Sequence, residues 1–280
     1  MVTAQPQRAP GAAIPPRHIG AGSNSPIRCT RAGRIAVVTL DNPPVNAITV
    51  DIARTLGAIA ASVASDPDIG ALIITAAGGR MFSAGSDIVE FSTMLGPGQA
   101  VERKLRPQMR AFSALHDLNK PTIAALNGHC LGGGLEIAVC CDLIVAEEQI
   151  LIGSPEIKLG LFPSSGGTFR VARRIGPGRA KQLQLLGEPI SARTAAEWGL
   201  VNEVVPAGRS FDRAMVLAQQ FLALSPLAIG LCKFVIDASC DSDDTAMTEI
   251  SLRASEQAFT SAACASAVEA FLSSRARRDA

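Results

Sequence analysis

From Arg34 onward, short apolar runs bounded by glycine and proline alternate with longer alanine- and leucine-rich stretches of helical spacing. "RIAVVTL" (Arg34 to Leu40) is short and β-branched, which predicts a strand. "NPPVNAI" after it reads as a turn, and Thr49 opens an alanine-rich helix to about Ser65. The cycle then repeats. "DIGALIITA" (Asp68 to Ala76) predicts a strand with a glycine-rich loop behind it, a helix spans about Gln99 to Leu118, and "PTIAAL" (Pro121 to Leu126) is a third strand. A glycine turn and a short apolar helix follow, and then "LIVAEE" and "QILIG" supply further strands. After Gly166 the pattern turns helical in "GGTFRVARRIG", "GRAKQLQLLG" and "SARTAAEWG", with Gly176, Gly187 and Gly199 where C-terminal caps belong. Everything past Pro206 reads as helix, broken at Pro226. Strands alternating with helices predict an α/β core over residues 28–205 and a helical C-terminal region over 206–280.

Residues 1–27 break this pattern, with Pro6, Pro10, Pro15, Pro16 and Pro26 and no acidic side chain before Asp41, and read as a disordered tail. Arg8 and Arg17 raise an organelle-targeting reading, which the prolines oppose by interrupting any amphipathic helix. The 280 residues suffice for one large domain with a sizeable core. A formal charge of +1 leaves no basic face for nucleic acid or an acidic membrane surface, so a small-molecule substrate is expected. No apolar run approaches the roughly 20 residues of a spanning helix, which predicts a protein outside the membrane. Seven cysteines, with Cys130, Cys140 and Cys141 inside apolar sequence and not in CxxC spacing, predict neither a disulfide framework nor a metal site; a reducing cytoplasm fits them.

The chemistry concentrates in "NGHCLGGGLEIAVCCD" (Asn127 to Asp142). The glycines are not a phosphate loop, because Leu135 and Glu136 stand where a lysine and a hydroxyl belong, and the dinucleotide spacing is absent. What remains is a turn whose bare backbone lets a ligand approach N–H groups at a helix start. Glu136 lies in a segment apolar on every face and so is expected to be buried, with the raised pKa a proton-handling carboxylate needs. Glu156 in "GSPEIKLGLFPSSGG" offers a second carboxylate, and two carboxylates in one site suit a reaction that moves two protons. In "MFSAGSDIVEF", Asp87 and Glu90 resemble a capping box that leaves the Ser86 N–H free; with the Gly133 N–H it would form an oxyanion hole. His116 is expected on a helix surface, His129 in no catalytic role, and Asp142 in pairing with backbone donors at the helix end. With three histidines and no GxSxG, a serine hydrolase triad has little support.

These segments, with "NPPVNAI", "NKPTIAALNGHCLGGGLEIAVCCDLIVAEE", "LLGEPISARTAAEWGLVNEVVP" and "SPLAIGLCK", resemble in order the blocks of the crotonase, or enoyl-CoA hydratase/isomerase, family over Arg34 to Lys233. The resemblance implies a spiral of ββα units, a C-terminal helical trimerisation region and assembly as a trimer or hexamer. It implies an acyl-CoA thioester substrate, CoA being part of the substrate and no separate cofactor, with the carbonyl oxygen on the N–H groups of Ser86 and Gly133. Glu136 and Glu156 would be the acid/base pair for hydration of a 2-enoyl-CoA, while Arg80, Ala84 and Phe259 match positions that contact the CoA portion. An isomerase of the same fold would need one carboxylate, and a non-catalytic homologue neither; both glutamates are present. The chain departs from the family at Ser164, in the turn that helps hold the water, at Val89, where a basic residue is common, and at Ala265-Ser266-Ala267, where a charged stretch is usual.

Overall fold

The computed structural model describes residues 17–18 and 25–277. Its strands are β1 (Arg17–His18), β2 (Ile27–Ala32), β3 (Ile35–Leu40), β4 (Ala71–Ala76), β5 (Met81–Ser83) and β6 (Thr122–Leu126). They continue as β7 (His129–Leu131), β8 (Leu143–Glu147), β9 (Leu151–Gly153), β10 (Ile190–Ser191) and β11 (Glu203–Val205). The α-helices are α1 (Val50–Ser65), α2 (Ile88–Ser92), α3 (Arg106–His116), α4 (Gly133–Ala138) and α5 (Gly167–Leu186). Then come α6 (Ala192–Glu197), α7 (Ser210–Leu222), α8 (Pro226–Ala238), α9 (Asp244–Phe259) and α10 (Ala262–Ala276). A π-turn, Val101–Leu105, leads into α3, and a 3-10 turn, Pro155–Leu159, follows β9.

Seven strands form the main sheet in the order β1-β2-β3-β4-β6-β8-β11, parallel from β3 onward; four form a second sheet, β10-β9-β7-β5. The chain visits the two sheets in turn: β4, β5 and α3, then β6, β7 and α4, then β8, β9 and α5. Each pass is one ββα unit, and the succession is the expected spiral.

Both faces of the inner strands β3, β4, β6 and β8 are covered, which is why these are almost continuously apolar instead of alternating. From β3, Ala36, Val38 and Leu40 enter the larger core, with Ile52, Leu56 and Phe112 from α1 and α3. Ile35 and Val37 lie on the opposite face, where Ala214 and Ala218 of α7 cover them. The compact body therefore continues past Val205 through α7, beyond the boundary the sequence suggested. Thr49 caps α1 as predicted, its Oγ1 accepting from the Ile52 N–H at 3.2 Å. Gly176, Gly187 and Gly199 all have left-handed φ, of 76°, 65° and 85°.

The stretch read as a tail contains structure: β1 pairs antiparallel with β2, and Ile27 is fully buried. The other residues up to 24 lie outside the described residues. Helices α8 to α10 bury little, leaving Phe234, Ile236, Leu252, Phe259, Phe271 and Leu272 exposed. Among the described residues no single helix is long and apolar enough to cross a membrane.

Candidate active site

The loop after β5 is held by every N–H except the one expected to work. Ala84 N donates to Val45 O at 2.9 Å, Gly85 N to Ser83 Oγ at 3.1 Å, and Asp87 N to Ile48 O at 3.1 Å. Ser83 Oγ in turn donates to Asn46 O at 2.7 Å, and Asn46 Nδ2 to Met81 O at 2.9 Å. Among the described residues the Ser86 N–H has no acceptor. Asp87 caps α2 by accepting from Glu90 N at 2.9 Å, but the reciprocal half of the expected capping box is not made. The Glu90 carboxylate instead accepts from Val50 N at 3.2 and 3.1 Å, at the start of α1.

The glycine turn meets this loop edge to edge. Gly132 N donates to Gly153 O at 2.9 Å, and Glu136 N to Gly132 O at 3.0 Å, while among the described residues the Gly133 N–H, at the first turn of α4, has no acceptor. A Cβ on Gly133 would stand 3.4 Å from the Ser86 nitrogen, and one on Gly85 3.3 Å from the Gly133 nitrogen. Gly85, at φ 107° and with its would-be Cβ this near the backbone, is thus needed for close approach, and two free donors lie side by side.

Glu136 is buried, 4% exposed, and its Oε1 accepts from Ser165 N at 2.7 Å and Gly167 N at 3.0 Å. Burial pushes its carboxyl up to about 7; the Gly167 N–H opposes this, the Glu156 charge adds to it, and the Ser165 N–H and Arg170 oppose it. Arg170, which sequence reasoning missed, fixes the turn that presents those N–H groups, through Nη1 to Ser165 O at 3.3 Å and Nη2 to Ser113 Oγ at 3.1 Å. Glu156 is placed by the 3-10 turn after Pro155; burial raises its pKa, opposed by its own backbone N–H. Among the described residues its Oε2 is buried without a partner, and its Oε1 would lie 3.2 Å from a Cβ on Gly132.

Ser86, Gly133, Glu136, Glu156, Ala84 and Ser164 all line one cavity of about 370 Å³. Ser164 Oγ donates to Phe162 O at 2.7 Å, so the side chain is tied back along its own turn. The structure does not bring Arg80 or Phe259 to this wall: Arg80 is exposed before β5, and Phe259 is 77% exposed at the end of α9. His129 is structural, its Nδ1 accepting from Leu151 N at 2.9 Å to join β7 to β9. Asp142 accepts from Thr122 N at 2.7 Å and Thr122 Oγ1 at 2.9 Å, as expected. His116 departs from expectation: it is half-buried at the end of α3, in the wall of a separate cavity of about 510 Å³, and burial lowers its pKa. The sequence pattern missed it because α8, which follows much later in the chain, covers that helix end.

Two buried carboxylates of raised pKa beside two unspent backbone donors can stabilise an oxyanion and move protons next to it. Comparison with known proteins bears on the family to which the chain belongs. The family model for enoyl-CoA hydratase/isomerase matches residues 30–278. Carnitinyl-CoA dehydratase of Salmonella paratyphi A is 36% identical over 216 residues, covering 77% of this chain and 81% of the relative. Among solved structures, DspI of Pseudomonas aeruginosa superposes with TM-score 0.85 at 32% identity, covering 91% of this chain and 96% of that one. An enoyl-CoA hydratase of Bacillus anthracis superposes with TM-score 0.84 at 28% identity, covering 89% and 97%.

Proposed function

Because the chain belongs to the enoyl-CoA hydratase/isomerase family, we propose that it hydrates a 2-enoyl-CoA thioester to a 3-hydroxyacyl-CoA and catalyses the reverse dehydration. The observation that carries this reading is the convergence of both glutamates and both free N–H groups on one cavity. The thioester oxygen would sit on the Ser86 and Gly133 N–H groups, where enolate charge is stabilised as it develops. Glu136, held by the Ser165 and Gly167 N–H groups, orients water and takes its proton as the oxygen bonds to the β-carbon. Glu156 delivers a proton to the α-carbon, so the two additions balance to one water. Dehydration runs the same steps backward, in keeping with a relative named carnitinyl-CoA dehydratase.

Ser164 is compatible with this, since its hydroxyl is spent on Phe162 O and the cavity beside Glu136 stays open. CoA would extend past Ala84 toward Arg80, and Phe259 would reach CoA only from a neighbouring subunit of a trimer or hexamer.

The test is the loss of conjugated enoyl-thioester absorbance when the protein meets crotonyl-CoA. Glu136→Gln and Glu156→Gln are each expected to lower kcat by about 10²–10⁴ while binding persists, the range for loss of one acid/base group. An unchanged absorbance with the thioester bound would overturn crotonyl-CoA hydration and favour isomerisation or a binding role.

A further inference from the structure

Arg170 of α5 is 5% exposed, and none of the ion pairs among the described residues involves it. Its guanidinium meets a carbonyl, Ser165 O at 3.3 Å, and a hydroxyl, Ser113 Oγ at 3.1 Å. Among the described residues its Nε has no partner. A guanidinium carries five donors, and burying its charge against two neutral groups is costly. A clasp between α5 and α3 needs only the hydrogen bonds, which a neutral amide would supply without that cost. The charge has a use only if an anion lies close by.

Glu136 is that anion. Gly166 and Gly167 adjoin, and a Cβ on the first would overlap Arg170 Nη1, while one on the second would stand 2.8 Å from Glu136 Cγ. Ser165 links the two side chains directly: its N–H donates to Glu136 Oε1 at 2.7 Å and its carbonyl accepts from Arg170 Nη1. Arg170 is not in the wall of the 370 Å³ cavity but in that of the 510 Å³ one, so it meets the turn from outside the site. The other groups around Glu136 do not offset its charge. Glu156 has the same sign, and Cys140 keeps its proton because burial pushes the thiol up to about 12. The lysines of the cavity wall are paired already, Lys104 with Glu90 at 3.1 Å and Lys158 with Glu188 at 2.8 Å. In the outer cavity Asp142 pairs with Lys233 at 2.8 Å, and Asp237 interacts chiefly with His116 and Lys233. Arg170 opposes the rise that burial imposes on the Glu136 carboxyl.

We propose that Arg170 is a positioning residue for the reaction: acting through the turn at 165–167, it is the counter-charge that keeps Glu136 ionised and its N–H partners in place for incoming water. This deepens the reading of Glu136 as the base and rests on it. Ionised Glu136 takes a proton from water as the oxygen bonds to the β-carbon, and Arg170 keeps its own protons throughout.

The test separates charge from hydrogen bonding. Arg170→Lys keeps the charge, whereas Arg170→Gln keeps an amide donor for Ser165 O without it. With crotonyl-CoA, Arg170→Gln is expected to lower kcat about tenfold at pH 7, to change KM less than about twofold, and to regain most of the loss by pH 9. Arg170→Lys should stay within about threefold of the wild type at both pH values. Ser113→Ala, which leaves the charge in place, should lower the melting temperature without moving the pH profile. The urea midpoint gives a readout free of turnover. Glu136→Gln is expected to raise it at pH 8 by more in the Arg170→Gln background than in the wild type, and by the same amount in both at pH 4. Circular dichroism confirms that each variant is folded, and Arg170→Met, which also lacks the charge, replaces Arg170→Gln if that variant does not fold. A deficit equal at pH 7 and pH 9, Arg170→Gln performing as well as Arg170→Lys, or equal midpoint increments at pH 8 would overturn the proposal. Absent crotonyl-CoA hydration with unequal increments would remove the reaction and leave Arg170 as the counter-charge of Glu136.

Discussion

Glu136 is where folding and chemistry pull against each other. Its carboxyl is raised from 4.5 to about 7, chiefly by burial, so between those pH values the folded chain holds a proton that the unfolded chain has released. Stability from the protonated form is fully present below about pH 4.5 and is lost as pH rises through 7, at a cost of about 3 kcal/mol by pH 8. Glu136→Gln keeps an oxygen for the Ser165 and Gly167 N–H groups and cannot ionise. It is therefore expected to raise the urea midpoint at pH 8 and to come nearest the wild type below about pH 4.5. A midpoint difference that does not change with pH would show that the carboxylate is not held in a desolvating site. The same titration should make hydration rate climb between pH 6 and 8, because Glu136 must be ionised to take a proton from water. Glu136 was legible in the sequence because its neighbours are apolar on every side. The burial of Lys104 and Gln108 was not, since "VERKLRPQMR" has the composition of a solvated helix face and only the packing of the chain turns these two inward.

At the scale of elements, the site depends on how tightly α4 lies against β5. A Cβ on Gly134 would meet Ser83 Cβ at 2.7 Å and Ser83 O at 3.0 Å, and backbone cannot yield there cheaply. Gly134→Ala is expected to cost about 1–3 kcal/mol of stability through overpacking and to move the Gly133 N–H away from that of Ser86. Turnover should then fall more than thioester affinity does. Gly178 in α5 is the control: nothing lies within 4 Å of its would-be Cβ, so Gly178→Ala should leave activity unchanged and melt at the same temperature or slightly higher. Activity lost equally in both variants would argue against a special role for the α4 junction. The glycine turn itself was visible from its sequence, but β7 was not, because a three-residue strand between glycines has no periodicity to read. The second half of the capping box failed for a related reason: local spacing gave Glu90 a partner within its own turn, while the fold brought Val50 N and Lys104 from elsewhere.

At the scale of the molecule, the repeating strand and helix pattern was enough to anticipate a wound α/β body. It did not show which strands would share a sheet, because that depends on contacts between units far apart in the chain. The C-terminal helices pose the opposite problem. Their helical character was plain in sequence, yet α10 buries no residue of its own among those described, and Phe271, 64% exposed, lies beside exposed Leu272 and Val268. An isolated helix of this length is marginal in water, and contiguous exposed apolar surface marks an interaction site. A second copy of the chain covering this face would stabilise α8 to α10 by burying that apolar surface. If the trimer or hexamer that the family resemblance implies forms through this face, light scattering is expected to give three or six chain masses, and Phe271→Asp with Leu272→Asp to lower that mass and the melting temperature together. A wild-type monomer would refute the assembly and with it any CoA contact from Phe259. A lowered mass with full crotonyl-CoA turnover would show instead that Glu136, Glu156 and the two backbone donors form a complete site within one chain.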